Sequence, residues 1–366
     1  MSQNRISIAI IIPGGIGTGK GNFGVPVLER LVKLLSNDFD VTVFSLFRIN
    51  TDYHPTGFEL IDVSHRVSVV RFVKLFLSVR QYHKKKTFRV IHGFWALPSG
   101  MFAVILARIL GVKSIVSILG GDAIALPEIN YGQLQRPLSN MLILWTLQRA
   151  DEVVVLTKYL LNNLKKAGLT RDRIQIIPWG IDTELFTFQA KQISSPIQFL
   201  HIANLHPVKD QETLLRSFKL ISDKVPAHLT IIGEGVLESQ VKALVASLNI
   251  NNITFINPLP YEQLPAYYNK AHILLHTSLS EGQSEVVTEA MSSGVLVCGT
   301  KVGLMYDEPS CCVAVEVKDY VALADQVLEI LKDPASQRKV TQSAQQWANT
   351  HSIHWTVDQL AELYKI

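Results

Sequence analysis

The chain has 366 residues, 48% hydrophobic and 18% charged, which allows large apolar cores and two domains and argues against disorder. Its three cysteines, Cys298, Cys311 and Cys312, give neither a metal-ligand spacing nor a disulfide framework, which fits a reducing compartment. The formal net charge of +4 is unevenly divided: residues 1–185 hold 22 basic against 13 acidic residues and the remainder 13 against 18, so an anionic partner (lipid phosphate, a membrane surface or nucleic acid) is expected at the front half.

The first expected strand, residues 6–12, runs straight into a glycine-rich segment, which reads as a buried strand and not as a secretory leader. Gly14 to Lys20 fits a phosphate-binding G-x4-G-K loop, but Gly21 stands where that loop needs a metal-binding hydroxyl. Gly19, Gly21 and Gly24 fit the weaker G-x-G-x-x-G pattern, without a convincing ribose-binding acid later. A helix over 22–35 follows. Asp38-Phe39-Asp40 is a lone Asp-x-Asp, read as the turn before a strand at 41–45 and not as a metal site.

Between Arg66 and Lys86, Val69, Val70, Phe72, Val73, Phe76 and Leu77 recur at helical spacing beside basic residues that end in Lys84-Lys85-Lys86. Two readings stand: an interfacial helix on anionic lipid, or a surface helix with its apolar face in the core. A strand at 90–92 ends on His92, where parallel α/β sheets present side chains to a ligand. A helix at 98–110 and a strand at 114–118 follow. That apolar stretch, broken by Arg108, Gly111 and Lys113, reads as core and not as a membrane span. The strand leads into Leu119-Gly120-Gly121-Asp122; a helix at 138–149, a strand at 152–155 and a helix at 158–167 complete the half.

After the Ser194-Ser195-Pro196 turn the strands restart at 197–203, 229–232, 253–255, 273–276 and 295–298, with a helix over 284–293 and amphipathic helices at 335–350 and 356–364. The repeated strand–helix alternation predicts an α/β chain with two parallel sheets.

The most informative stretch is SLSEGQSEVVTEAMSSGVLVCGT. Glu281 lies in a turn before the 284–293 helix and Glu289 just over a turn into it. Helix N-terminal amides attract phosphate, and carboxylates accept from hydroxyls. The two together imply a ligand with phosphate and polyol parts, such as a nucleotide-sugar. A bare pair of glutamates at this spacing is more often a solvated helix face. Here Gly282, Ala290, Gly294 and the buried strand fit at the same time.

These residues resemble glycosyltransferase family 4, whose pattern is Glu-Gly-x6-Glu-Ala, then a small residue, Gly and an apolar strand. The resemblance implies the GT-B fold: α/β, two Rossmann-like doubly wound parallel-sheet domains facing across a cleft. Residues 1–190 would form the acceptor-side domain and 191–345 the nucleotide-sugar domain. Residues 346–366 would return to the first domain, anchored by Trp355 and Tyr364.

It implies a retaining transfer from a UDP- or GDP-sugar to an acceptor hydroxyl of a glycan or lipid-linked molecule, in surface polysaccharide or glycolipid synthesis. Neither metal, cofactor nor nucleic acid would take part. The protein would be cytoplasmic, at the membrane's inner face. Glu281, Lys209, Asp122 and His92 would be catalytic. Gly15, Gly17, Asn204, Lys209, Gly233, Pro258, Leu264, Glu281, Gly282, Gln283, Ser284 and Glu289 would line the donor, with Glu281 on sugar hydroxyls and Glu289 on the ribose. Two departures motivate an alternative, a binding module of the same fold with impaired catalysis: Asn204 replaces the family's diphosphate-binding Arg, and Leu119 its loop His. An epimerase on the same fold has less support.

Overall fold

The computed structural model describes residues 5–18 and 24–365. The chain divides into two compact units, one of residues 1–179 with 354–366 and one of residues 180–353. In the first, the elements are β1 (Ser7–Ile12), α1 (Pro26–Leu35), β2 (Asp40–Ser45), β3 (Glu59–Asp62), α2 (Ser68–Lys86), β4 (Val90–Phe94), α3 (Met101–Leu110), β5 (Lys113–Ile118), α4 (Pro137–Arg149), β6 (Glu152–Val155), α5 (Lys158–Lys166) and β7 (Gln175–Ile176). The second contains β8 (Ile197–Ile202), α6 (Gln211–Ser222), β9 (Ala227–Ile232), α7 (Glu238–Ser247), β10 (Ile253–Ile256), α8 (Leu264–Lys270), β11 (Ile273–His276), α9 (Glu285–Ser292), β12 (Leu296–Thr300), α10 (Leu304–Asp307), β13 (Val313–Val315), α11 (Tyr320–Leu331) and α12 (Pro334–Thr350). A last helix, α13 (Ile353–Lys365), groups with the first unit from His354 onward.

Every strand pairing in both sheets is parallel. The seven-stranded sheet runs β3-β2-β1-β4-β5-β6-β7 and the six-stranded sheet β10-β9-β8-β11-β12-β13. Each thus has the doubly wound order, which reverses between its first and fourth strands, and ligands of such sheets bind beyond the strands' carboxyl ends at that reversal. Parallel strands covered on both faces read as apolar runs; β1, SIAIII, is buried at every position.

In the second unit alternate residues serve opposite faces. Phe199, Ile273 and Leu275 pack with α6 and α11 residues such as Phe218 and Val327, while Leu200 and Leu274 pack with Tyr268, Met291 and Trp347. The chain's entry to and exit from this unit are paired: Ile181 N–H donates to the His351 carbonyl (3.1 Å) and Ile353 N–H to that of Ile181 (2.9 Å). A Cβ on Gly180 would lie 2.0 Å from the Ser352 carbonyl oxygen, so only glycine allows this approach.

Candidate active site

The reversal point of the second sheet lies between β8 and β11, and the loops leaving these two strands carry the functional cluster. After β8 the chain turns at Pro207–Lys209 and enters α6 through Asp210, which takes a left-handed φ of 46° and accepts from Thr213 N–H (3.2 Å) and Oγ1 (2.7 Å). After β11 the Thr277 hydroxyl bonds the carbonyls of Lys209 (3.1 Å) and Asp210 (3.0 Å), and Leu279 N–H donates to the Val208 carbonyl (2.7 Å). These bonds tie the two loops together and bring Lys209 to Glu281: Nζ donates to Oε1 at 2.6 Å.

Three side chains converge on that one carboxylate. Ser278 Oγ donates to Oε1 at 2.5 Å, and the buried His276 places Nε2 3.3 Å away. Burial pushes the Glu281 carboxyl up, but the Lys209 charge first, with the adjacent His276 ring and the Lys209 bond, outweighs it and holds the group well below the usual carboxylate range. Gly303, at φ 54°, closes the back: a Cβ there would sit 2.9 Å from Glu281 Cβ and 2.8 Å from the Gln283 carbonyl oxygen.

Ser284, at φ 81°, precedes α9 without capping it through its side chain, and the first amides of a helix have no intrahelical acceptor. Glu285 opens the helix. Burial first, then the charges of Glu289 and Glu281, push its carboxyl up to about 8 against the opposing pull of Lys209. Glu289 is 2% exposed and accepts from the Tyr268 hydroxyl at 2.6 Å. Burial raises it to about 7, while the bonds from Tyr268 and Tyr261 pull the other way. Near neutrality the loop before α9 thus carries one firmly ionised glutamate, and α9 itself two that hold protons far more tightly.

The other expected donor residues are scattered around this cluster. Gly282 and Gln283 are buried in the turn before α9. Asn204 is exposed, and its carbonyl accepts from Gln211 Nε2 (3.2 Å). Gly233, at φ 143°, lies where a Cβ would be 2.0 Å from the Ala203 carbonyl oxygen, so it packs the β9 loop against the β8 loop. Pro258 is half-buried after β10. Leu264, expected against a base, is buried in the core cluster with Tyr268 and Leu274; its side chain is spent on packing.

In the first unit two expected catalytic residues, His92 and Asp122, are buried and held by hydrogen bonds within the unit. His92 is fully buried, with Nδ1 2.7 Å from the Tyr364 hydroxyl and Nε2 2.8 Å from that of Ser117. Both ring nitrogens are engaged, and burial depresses its pKa to about 3, which favours the neutral ring. Asp122 is 1% exposed and accepts from Ala96 N–H (2.9 Å), Gly120 N–H (2.9 Å) and Leu119 N–H (3.3 Å). These bonds fasten the loop after β5 to the one after β4.

Gly15 and Gly17 follow β1 at φ 104° and 60°. Gly15 O accepts from Val25 N–H (2.6 Å), and a Cβ on Gly17 would enter the Tyr53 ring. Gly19, Lys20 and Gly21, on which the phosphate-loop and dinucleotide readings depend, lie outside the described residues. Asp40 binds Lys86 (2.9 Å) and accepts from Ser7 Oγ (3.1 Å), in keeping with a structural turn.

His276, Ser278 and Glu285 were not singled out from sequence. Signals existed for two of them. His276 closes the apolar strand ILLH at its carboxyl end, and Glu285 sits midway between the two glutamates that were recognised.

Two doubly wound parallel sheets, the second with a lysine–glutamate couple at its reversal, are the architecture of the GT-B class. The comparisons agree. The family model "Glycosyl transferases group 1" matches residues 182–347 and "Glycosyltransferase Family 4" residues 26–185. The chain belongs to glycosyltransferase family 4, group 1.

It is 24% identical to N-acetyl-alpha-D-glucosaminyl L-malate synthase of Bacillus anthracis, over 93% of this chain and 92% of that protein. Among solved structures, sucrose-phosphate synthase from Thermosynechococcus elongatus superposes with a TM-score of 0.82 at 20% identity, covering 99% of this chain and 98% of the other. Anabaena HepE in complex with UDP-glucose gives a TM-score of 0.78 at 15% identity, covering 99% of this chain and 100% of the other.

Proposed function

We propose that the protein transfers a sugar from a UDP-sugar to a hydroxyl of a glycan or lipid-linked acceptor, with retention of anomeric configuration. The carrying observation is the 2.6 Å pair of Lys209 and Glu281 in front of the N-terminus of α9, where the Ser284 side chain makes no cap. The uridine assignment draws on the similarity to HepE, whose structure holds UDP-glucose.

Without donor, Lys209 neutralises Glu281. A diphosphate arriving at the helix terminus competes for the lysine, since charge-assisted N–H···O bonds to phosphate are strong. Glu281 is then released to accept from the sugar hydroxyls while His276 and Ser278 keep it in place. As the bond from the anomeric carbon to phosphate oxygen breaks, negative charge builds on the diphosphate, where Lys209 and the α9 amides stabilise it. The acceptor oxygen bonds the same face of the carbon and its proton passes to the departing phosphate oxygen. Positive charge at the phosphate comes from the chain itself, so the reading requires no divalent cation.

Helix α2 supports a membrane-surface acceptor. Val69 (72% exposed), Val73 (48%) and Leu77 (56%) form an outward apolar line, while Phe72 and Phe76 are partly buried, Phe72 against Phe102. Arg66, Lys74, Arg80, Lys84 and Lys85 are exposed beside it. A basic helix with an apolar face suits anionic lipid. The protein should co-sediment with anionic vesicles and be released by salt; equal recovery on neutral vesicles would count against this. No helix among the described residues is long and apolar enough to cross a membrane.

The reaction is tested by offering UDP-glucose, UDP-N-acetylglucosamine, UDP-galactose and GDP-mannose to the purified protein with a panel of acceptors. Turnover of a UDP-sugar should survive EDTA and the exposed Asp38→Ala change. It should fall about 10²–10³-fold in Glu281→Gln and in Lys209→Ala. Binding without turnover on every acceptor would instead support the non-catalytic module.

A further inference from the structure

The second unit holds a cavity of about 840 Å³ at the amino ends of its strands, the opposite end from Lys209 and Glu281. Ile197 and Leu296, the first residues of β8 and β12, contribute its floor, with Leu328 and Leu331 of α11. One wall is the turn of α12 that carries Gln337, Arg338 and Thr341. The other is the segment of residues 188–195 that leads into β8.

The charges around this cavity are of one sign. Lys191, Lys332 and Arg338 line it, with His272, and no aspartate or glutamate does. Lys191 Nζ donates to the carbonyls of Asn269 (2.7 Å) and Tyr268 (3.1 Å), neutral oxygens that leave its charge uncancelled. Lysine carries three donors. His272 Nδ1 accepts from Gln198 N–H (3.0 Å), which leaves Nε2–H as the ring's donor. The nearest acid on the rim element, Asp333, lies outside the lining. Its carboxylate accepts from the amides of Ala335 (3.0 Å) and Ser336 (3.1 Å) and from the Ser336 hydroxyl (2.6 Å).

We propose that this cavity binds a small amphiphilic anion: an apolar chain or ring that ends in a phosphate or carboxylate. The volume is in the range of small-molecule sites, roughly 300–1,000 Å³. The apolar floor accounts for the body, and the three cations with the His272 donor account for the head. A neutral apolar guest would leave the cations unused, and a bare inorganic anion would leave the floor unfilled. The proposal rests on this cavity alone and is independent of the transfer reaction.

The test is titration calorimetry of the whole protein with monomeric dodecyl phosphate, alongside dodecanol and inorganic phosphate. One saturable site for dodecyl phosphate is expected, with both comparison ligands weaker by about tenfold or more. UDP should not displace it. Lys332→Gln with Arg338→Gln, both exposed positions, should weaken it about tenfold without lowering Tm, and Gln342→Trp, which fills the cavity from the rim, should abolish it. Absence of saturable binding, equal affinity for dodecanol or inorganic phosphate, displacement by UDP, or indifference to these variants would overturn the proposal.

Discussion

At the scale of single residues, the three glutamates around the start of α9 respond oppositely to pH. Glu281 is held below its ordinary pKa, so its contribution to stability is present above about 4.5 and is lost as pH falls through the folded value. Glu285, raised to about 8, binds its proton more tightly folded than unfolded. Its effect is absent at low pH, and stability declines as pH rises from about 4.5 to about 8. Glu285→Gln, which mimics the protonated form, should therefore melt with the parent at pH 4 and about 2–6 °C above it at pH 8.5. A variant less stable than the parent at pH 8.5 would show that the ionised carboxylate is the form the fold wants.

The spacing of Glu281 and Glu289 was readable from sequence because a turn, a helix and an apolar strand surround it. That Glu289 is roofed by Tyr268, and that Glu281 is shared among Lys209, His276 and Ser278, was not readable. These contacts join loops from different strands, and only the sheet order sets their proximity.

At the scale of elements, the central strands were legible because a strand buried on both faces is an apolar run. Strands β3, β7 and β13 were not anticipated. β7 has two residues, β3 (ELID) has only two apolar ones, and all three lie in the outer parts of their sheets, where burial writes little into the sequence. The role of His92 was hidden for a different reason: its partner Tyr364 is 272 residues away.

Helix α13 depends on that contact. Tyr364 is fully buried and also meets Phe39 edge-on, with centroids 5.3 Å apart. Tyr364→Phe should cost about 1–3 kcal/mol by stranding one nitrogen of His92, and Tyr364→Ala about 3–5 kcal/mol through the cavity it leaves. Denaturant melts would check both, and a neutral Tyr364→Phe would remove the hydrogen bond from the account. Gly180→Ala should destabilise the paired entry and exit strands of the second unit because its methyl would meet the Ser352 carbonyl.

At the scale of the molecule, the first half is basic and bears the amphipathic α2, and the second half is acidic, with Lys209 meeting Glu281 within it. The most direct test of the account is a crystal structure of the protein with a UDP-sugar. The account predicts a diphosphate oxygen about 2.7–3.2 Å from Lys209 Nζ, the phosphate facing the first amides of α9, and sugar hydroxyls on Glu281. A bound nucleotide with Lys209 still paired to Glu281 and neither touching the ligand would contradict it.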